Sequence, residues 1–231
     1  MNQQQIEKKV NFKQLDVHSI FHTIQGEGPF SGTAAVFIRL AGCNLRCPQC
    51  DTDYTSRRMT MTPDEILEEI QKHVSSGLIV ITGGEPFRQN LEPLLKLLTR
   101  FNFYVQIETN GTLPCPGLWY SRNITNRSGV YIVVSPKTGS VHPSIDLNAC
   151  AYKYVISANS VFEYDGLPVK ALDHPNDGVV ARPEQIVPIY IQPEDSRNEE
   201  QNKNNIQATI DSCMKFSYTM QVQMHKIIGV Q

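Results

Sequence analysis

The chain has 231 residues, 40% apolar and 19% charged, and its 21 basic residues nearly balance its 23 acidic ones. That balance argues against capture of nucleic acid by bulk charge. Average Gly and Pro usage excludes a collagenous or low-complexity chain, and no apolar run approaches the ~20 residues of a membrane span.

Residues 1–14 are polar and without periodicity and are expected to form a poorly ordered tail. The rest, 15–231, shows no linker or internal repeat and reads as one domain, long enough to bury roughly 70% of its unfolded surface without staples. Met1 to Lys9 lacks the apolar run of a signal peptide, so a cytoplasmic location is expected.

Val36 to Leu40 is a β-branched and aromatic run that predicts a strand leading into Ala41-Gly42. Thr62-Pro63-Asp64-Glu65 carries a cap, a proline at the first helical position and a capping-box glutamate. The helix it opens is expected to use Ile66, Leu67, Ile70 and Val74 and to stop at Gly77. Leu78 to Thr82 is a continuous apolar run, as in a strand covered on both faces. A helix over Leu91 to Phe101 and strands over Phe103 to Glu108, Val130 to Val134, Tyr152 to Ile156 and Val187 to Ile191 follow. A helix from Glu199 to Lys215 and a strand around Tyr218 to Val222 complete the series.

Alternating strands and helices imply a mainly parallel sheet with right-handed crossovers. Thr112 to Gly129 contains no clear amphipathic helix, and Gly139 to Asn148 is short for a helical crossover. The expected architecture is therefore an α/β fold of TIM-like type, abbreviated and partly open, with fewer helices than strands.

Of six cysteines, Cys43, Cys47 and Cys50 form one C-x3-C-x2-C group, whereas Cys115, Cys150 and Cys213 are scattered and read as ordinary buried thiols. In a reducing compartment such a cluster means metal or catalysis more often than disulfides. Three thiolates can hold three irons of a [4Fe-4S] cluster and leave the fourth open to a chelating ligand. Zinc usually takes four ligands, and His22, Cys115, Cys150 or a distant histidine could supply the fourth, so the spacing alone leaves both metals open.

The triplet after one strand, with Gly83-Gly84-Glu85-Pro86 closing the next, resembles the radical S-adenosylmethionine (SAM) superfamily. Taken alone, the Gly-Gly-Glu-Pro segment reads as a tight turn. Two glycines there let backbone approach a ligand, and Glu85 can pair with an ammonium group. A narrower resemblance rests on several further segments. They are Phe21-His22-Thr23-Ile24-Gln25-Gly26-Glu27-Gly28, Phe37 to Leu45, Cys50-Asp51-Thr52-Asp53, Ile107 to Gly111, Val134 to Lys137, Gln192-Pro193 and Gln223-Met224-His225-Lys226. Together they are similar to the 7-carboxy-7-deazaguanine synthases, lyases of the pathway to 7-deazapurines such as queuosine.

This resemblance implies conversion of 6-carboxytetrahydropterin to 7-carboxy-7-deazaguanine by radical-mediated ring contraction with loss of ammonia. It implies that Cys43, Cys47 and Cys50 ligate a [4Fe-4S] cluster and that Thr52 binds Mg2+. Ile24, Gln25, Gly26, Glu27, Arg39, Thr109, His225 and the terminal Gln231 would contact the substrate. Gln49, Cys50 and Asp51 would contact SAM, as would Gly83, Gly84, Glu85, Gly111, Ser135, Pro136, Lys137, Gln192, Pro193, Glu194 and Asp195. No residue is assigned as a general acid or base. The implied partners are a one-electron donor such as flavodoxin or ferredoxin and a second copy in a homodimer, with no direct nucleic-acid or membrane contact.

Bland readings stand beside two of these assignments: a structural salt bridge for Arg39 and a Ser/Thr-type turn for Thr52. Two competing functions share the triplet. A radical activase that makes a glycyl radical on a partner protein would not need Gln25, Glu27, Arg39 and a His225-Lys226 ending. A zinc-stabilised binding module would be colourless, without iron.

Overall fold

The computed structural model describes residues 13–74, 77–115, 129–175 and 178–230. Most of the N-terminal tail, residues 116–128 of the stretch expected to lack a helix, and Gln231 lie outside the described residues.

The strands are β1 (Leu15–Ile24), β2 (Ala34–Leu40), β3 (Met59–Met61), β4 (Leu78–Gly83), β5 (Tyr104–Thr109), β6 (Val130–Val134), β7 (Ala149–Ile156), β8 (Ile189–Pro193) and β9 (Thr219–Met220). The α-helices are α1 (Pro63–Gln71), α2 (Glu92–Arg100), α3 (Pro143–Asn148), α4 (Glu199–Phe216) and α5 (Met224–Ile228). One sheet holds every described strand in the order β3-β1-β2-β4-β5-β6-β7-β8-β9. From β2 to β9 neighbouring strands are parallel, while β1 runs antiparallel to both β2 and β3. Among the described residues, five α-helices for nine strands agree with the expected shortage of helices.

The two faces of the parallel sheet have different tasks. Val36, Ile38 and Leu40 of β2, Ile79 and Ile81 of β4, Val105 and Ile107 of β5 and Tyr152 and Tyr154 of β7 face the helices, packing with Ile66, Ile70, Leu94 and Leu98. The alternate residues form the inner face. Near the amino ends these are apolar, Ala35, Leu78 and Val80 in one cluster and Tyr131, Val133 and Ala151 in another, both touching Phe30. Towards the carboxyl ends the same face turns polar, with Arg39, Thr82, Gln106, Glu108, Lys153 and Gln192. Such strand ends are where α/β sheets place ligands.

Thr62 caps α1 with the full capping box to Glu65, as read from the sequence. The helix stops at Gln71 rather than Gly77, because the chain tightens into a turn in which His73 and Val74 donate to the Ile70 carbonyl. Val74 still packs on the core after that turn, so the apolar spacing outlasts the helix. Strand β1 escaped the sequence reading because its alternation is masked by buried polar residues. Asp16 and His18 are enclosed, Asp16 pairing with Arg58 at 3.3 Å, and the register slips between Val17 and Ser19. The short β3, α3 and α5 carry too few residues to show a period.

No hydrogen-bonded ladder joins β3 to β9. The loop between β1 and β2 spans the opening instead. Gly28 N–H donates to Gln221 Oε1 at 2.6 Å, and Gln221 Nε2 returns a bond to the Gly28 carbonyl at 2.8 Å. Phe30 of the same loop meets Tyr131 edge-on at 5.1 Å. In a flat sheet β1 and β9 would stand roughly 34 Å apart at ~4.8 Å per strand, so these contacts require the sheet to curl into an open barrel. No helix among the described residues is long and apolar enough to cross a membrane.

Candidate active site

Three groups of residues converge at the carboxyl ends of the strands. The first is the cysteine loop after β2. Gly83 has φ +138°, and Cβ atoms at Gly83 and Gly84 would overlap the backbone of Leu40 and of Gly42. The two glycines therefore let the end of β4 press directly onto the loop that starts at Cys43. Burial raises the Cys43 thiol to about 12 and Cys47 to about 11, and Cys50 is raised for the same reason. Cys43 also feels the charges of Glu85, Cys47 and Cys50, while Lys137 pulls Cys47 and Cys50 downward. A cavity of about 700 Å3 opens beside this loop, lined among others by Arg46, Cys47, Cys50, Asp51, Thr52 and Asp53.

Three thiols whose mutual charge and burial oppose ionisation are a donor set suited to a cationic metal group, which takes thiolates. The fourth zinc ligands considered from sequence lie elsewhere. His22 stacks on His73, Cys115 bonds to Ser144, and Cys150 packs with Tyr131 and Val133. Among the described residues no three His, Cys, Asp or Glu side chains converge on a single-ion site. Thr52 donates to Asp51 Oδ1 at 3.2 Å. Bonds from Ser56 and the Thr55 and Ser56 amides hold Asp53 well below the usual carboxylate range.

The second group anchors that loop. Glu85 is fully buried, and its carboxylate accepts from Thr109 Oγ1 at 2.7 Å, Asn110 N at 2.8 Å and Phe87 N at 3.0 Å. Burial raises this carboxyl despite those bonds. Asn110 Nδ2 continues to Asn44 Oδ1 at 3.0 Å, and Asn44 Nδ2 to Thr112 Oγ1 at 2.8 Å. The resemblance sets Glu85 against SAM and Thr109 against substrate, and the structure also joins their side chains to each other. Gly111 sits just beyond, between Val134 and Val141.

The third group covers the polar end of the inner face. Lys153 is ion-paired to Glu27 and stands 3.7 Å from Glu108. Glu108 Oε1 accepts from Gln25 Nε2 and Gln106 Nε2, each at 3.0 Å, and Oε2 from Thr82 at 3.3 Å. Gln223 Nε2 donates to Glu27 Oε1 at 2.6 Å. Burial alone would raise Glu27, but Lys153, Gln223 and Gln192 outweigh it and hold the carboxyl at about 2. Burial likewise depresses Arg39, against the pull of Asp51 and Glu108. Among the described residues, buried Arg39 Nε, Gln106 Oε1 and Gln192 Oε1 have no hydrogen-bond partner.

Gln25, Gly26, Glu27, Arg39 and His225 are thus gathered on one side of the mouth, with Ile24 at the end of β1 leading in. Ser135 and Pro136 follow β6, and Lys137 folds back to donate to Ser135 Oγ at 2.7 Å. Burial lowers Lys137, which lies between the charges of Cys47, Cys50, Lys153 and Glu27. Gln49 is exposed and bonds Asp173. Pro193 ends β8, and the Glu194 carbonyl accepts from the buried Asn205 of α4. Lys226 reaches Asp51 at 3.5 Å and Asp195 at 3.6 Å, tying two expected SAM-contact loops together. Gln192 differs from its neighbours, since its side chain joins Glu27. Sequence reasoning missed Lys153, Glu108, Gln106 and Gln221 as site residues. Inward-facing polar residues inside otherwise apolar strands were the available signal.

A model of the Radical SAM superfamily matches residues 37–117. The 7-carboxy-7-deazaguanine synthase of Rhodospirillum rubrum is 39% identical over 224 residues, 94% of this chain and 92% of that protein. That of Rickettsia prowazekii is 34% identical over 229 residues, 94% of this chain and 89% of that protein. The Aquifex aeolicus enzyme is 34% identical over 228 residues, 94% of each. The crystal structure of QueE from Escherichia coli matches with a TM-score of 0.66 at 23% identity, covering 90% of this chain and 93% of that one, a likeness of fold.

Proposed function

The chain belongs to the 7-carboxy-7-deazaguanine synthase family, and on that premise we propose that it rearranges 6-carboxytetrahydropterin into 7-carboxy-7-deazaguanine with ring contraction and loss of ammonia. The observation that carries this reading is the junction of the cysteine loop with the inner-face cluster of Gln25, Glu27, Arg39 and Lys153 across one barrel mouth. An activase of a partner protein has no use for that enclosed polar wall, and a zinc module lacks a fourth ligand beside the triplet among the described residues.

Cys43, Cys47 and Cys50 would hold a [4Fe-4S] cluster. When bound, the cluster and SAM supply a reducing electron and a carbon radical able to take hydrogen from the substrate. The remaining tasks fall to the protein. Gln25 and Glu27 present an amide and an ionised carboxylate suited to the N–H edge of a pterin. Arg39 brings an orphaned Nε–H and a planar fork suited to the substrate carboxylate. His225 packs on Gly26 and borders the same edge.

Gly83, Gly84, Ser135, Pro136, Lys137 and the loop from Pro193 to Asp195 line the strand ends where SAM would lie. Glu85 and Gly111 would contact SAM and Thr109 the substrate, while the Glu85–Thr109 bond also fixes the cysteine loop. Thr52, flanked by Asp51 and Asp53, offers hard oxygen donors for Mg2+. Gln231 keeps its proposed substrate role. We carry over from the family a flavodoxin- or ferredoxin-type electron donor, a homodimer and a cytoplasmic location.

The test is anaerobic incubation of reconstituted protein with SAM, dithionite, Mg2+ and 6-carboxytetrahydropterin, followed by mass analysis. The ring-contracted acid is the expected product; its absence from iron-loaded protein would overturn the assignment.

A further inference from the structure

We propose that Lys153 is a positioning residue of the pterin site: from the inner face of β7 it fixes the Glu27 carboxylate where the ligand's N–H groups are read. This rests on the pterin reading above and adds a residue to it.

The geometry is that of a held cation. Tyr152 and Tyr154, on either side of Lys153, are buried in the helix-covered face, their hydroxyls bonded to Asp146 Oδ1 at 2.6 Å and to the Ala181 carbonyl at 2.7 Å. With both neighbours locked outward, strand alternation sends Lys153 to the inner face, where its side chain is 8% exposed. There it meets Glu27 and Glu108, one from the loop that bridges the barrel opening and one from β5. Glu108 in turn holds Gln25. One lysine therefore touches both Glu27 and the Glu108 that holds Gln25, so it orients the side chains of a segment whose backbone is tied to Gly32, Thr33 and Met224.

The wall so organised is rich in acceptors. Gln192 spends its amide N–H on Glu27 and leaves Oε1 without a partner among the described residues, as Gln106 does on Glu108. Carboxylate and orphaned amide oxygens side by side complement adjacent N–H donors, as on an aminopyrimidinone ring. A structural ion pair would not need unpartnered acceptors beside it, because burying them is costly.

The groups facing Glu27 are Lys153 of β7, Glu108 of β5, Gln192 of β8, Gln223 before α5 and, through its charge, Lys137 after β6. His225 adjoins at Gly26. Without Lys153 the nearest cationic support is gone and the Glu108 charge opposes ionisation of Glu27.

The test is fluorescence titration of reconstituted, SAM-loaded protein with 6-carboxypterin, an oxidised analogue, between pH 5 and 8. Wild type should bind with little dependence on pH. Lys153→Met should bind about tenfold more weakly at pH 7, as for a lost charge-assisted contact, and more weakly still as the pH falls. Lys153→Arg should recover most of the affinity and the flat profile. In Glu27→Gln/Lys153→Met the two losses should not add. Wild-type affinity with a flat profile in Lys153→Met, or additive losses, would overturn the proposal. Should Lys153→Met not fold, the double variant decides: it must match Glu27→Gln, and any further loss counts against Lys153. Failure of wild type to bind 6-carboxypterin would instead overturn the pterin reading.

Discussion

The imidazole of His225 occupies the space a side chain on Gly26 would need: a Cβ there would overlap Nδ1 and come within 3.0 Å of the His225 backbone nitrogen. The loop after β1 and the segment after β9 are thereby fitted together at the one glycine between Gln25 and Glu27. Gly26→Ala should evict the ring and shift both neighbours. Pterin KM should rise by an order of magnitude or more, a loss of roughly 1.4 kcal/mol or above, while SAM affinity and iron content stay unchanged. Steady-state kinetics with both substrates checks this.

The cysteines should separate cleanly. Cys47→Ala should abolish cluster binding, whereas Cys213→Ala, whose thiol packs on the core and donates to the Tyr218 carbonyl at 3.0 Å, should keep it. Anaerobically purified wild type should be brown, with about four irons per chain. Iron analysis of the three proteins decides, and equal loss in both variants would contradict the ligand assignment.

The Glu27 carboxyl, held at about 2 in the folded protein against an ordinary 4.5, makes stability depend on acid. A depressed carboxyl stabilises the fold above its unfolded value and loses that contribution as pH falls through its folded value. The protein should therefore lose on the order of 3 kcal/mol between pH 4.5 and 2 from this group. Urea titrations across that range should show a smaller loss in Glu27→Gln.

Lys226 links Asp51 to Asp195, but it is 38% exposed. Its worth to stability should be under ~1 kcal/mol, so Lys226→Met should melt within a few degrees of wild type. Its effect should instead appear as a several-fold rise in SAM KM, reduced at high salt because wild type then loses the same links.

Asn205 of α4 is wholly buried: its Oδ1 accepts from Ala158 N at 2.9 Å and its Nδ2 donates to the Glu194 carbonyl at 2.9 Å. These bonds join the ends of β7 and β8 from behind. Asn205→Ala should strand buried backbone groups and cost ~2–4 kcal/mol, measured by chemical denaturation.

Much of the chain could be read locally. The strand runs Val36 to Leu40, Leu78 to Thr82 and Val130 to Val134, the Thr62 capping box and the C-x3-C-x2-C spacing are each contained in a few consecutive residues. Covalent proximity and the period of a strand or helix determine them, so neighbours suffice. The shortage of helices, and with it the trimmed barrel, followed from the same patterns.

What closes the barrel and equips its mouth was decided by tertiary structure. Lys153 lies 126 residues from Glu27, and Gln221 lies 193 residues from Gly28. A lysine inside the apolar run of β7 was a local signal, but its partners became visible only once the sheet curls and turns that face inward. Glu85 and Thr109, named from two separate motifs, are joined to each other by the fold, a bond that neither motif announces. Sequence carries the identity and spacing of chemical groups. Which groups meet depends on burial, where an unpaired charge is too costly to leave and each must find a partner wherever the chain brings one.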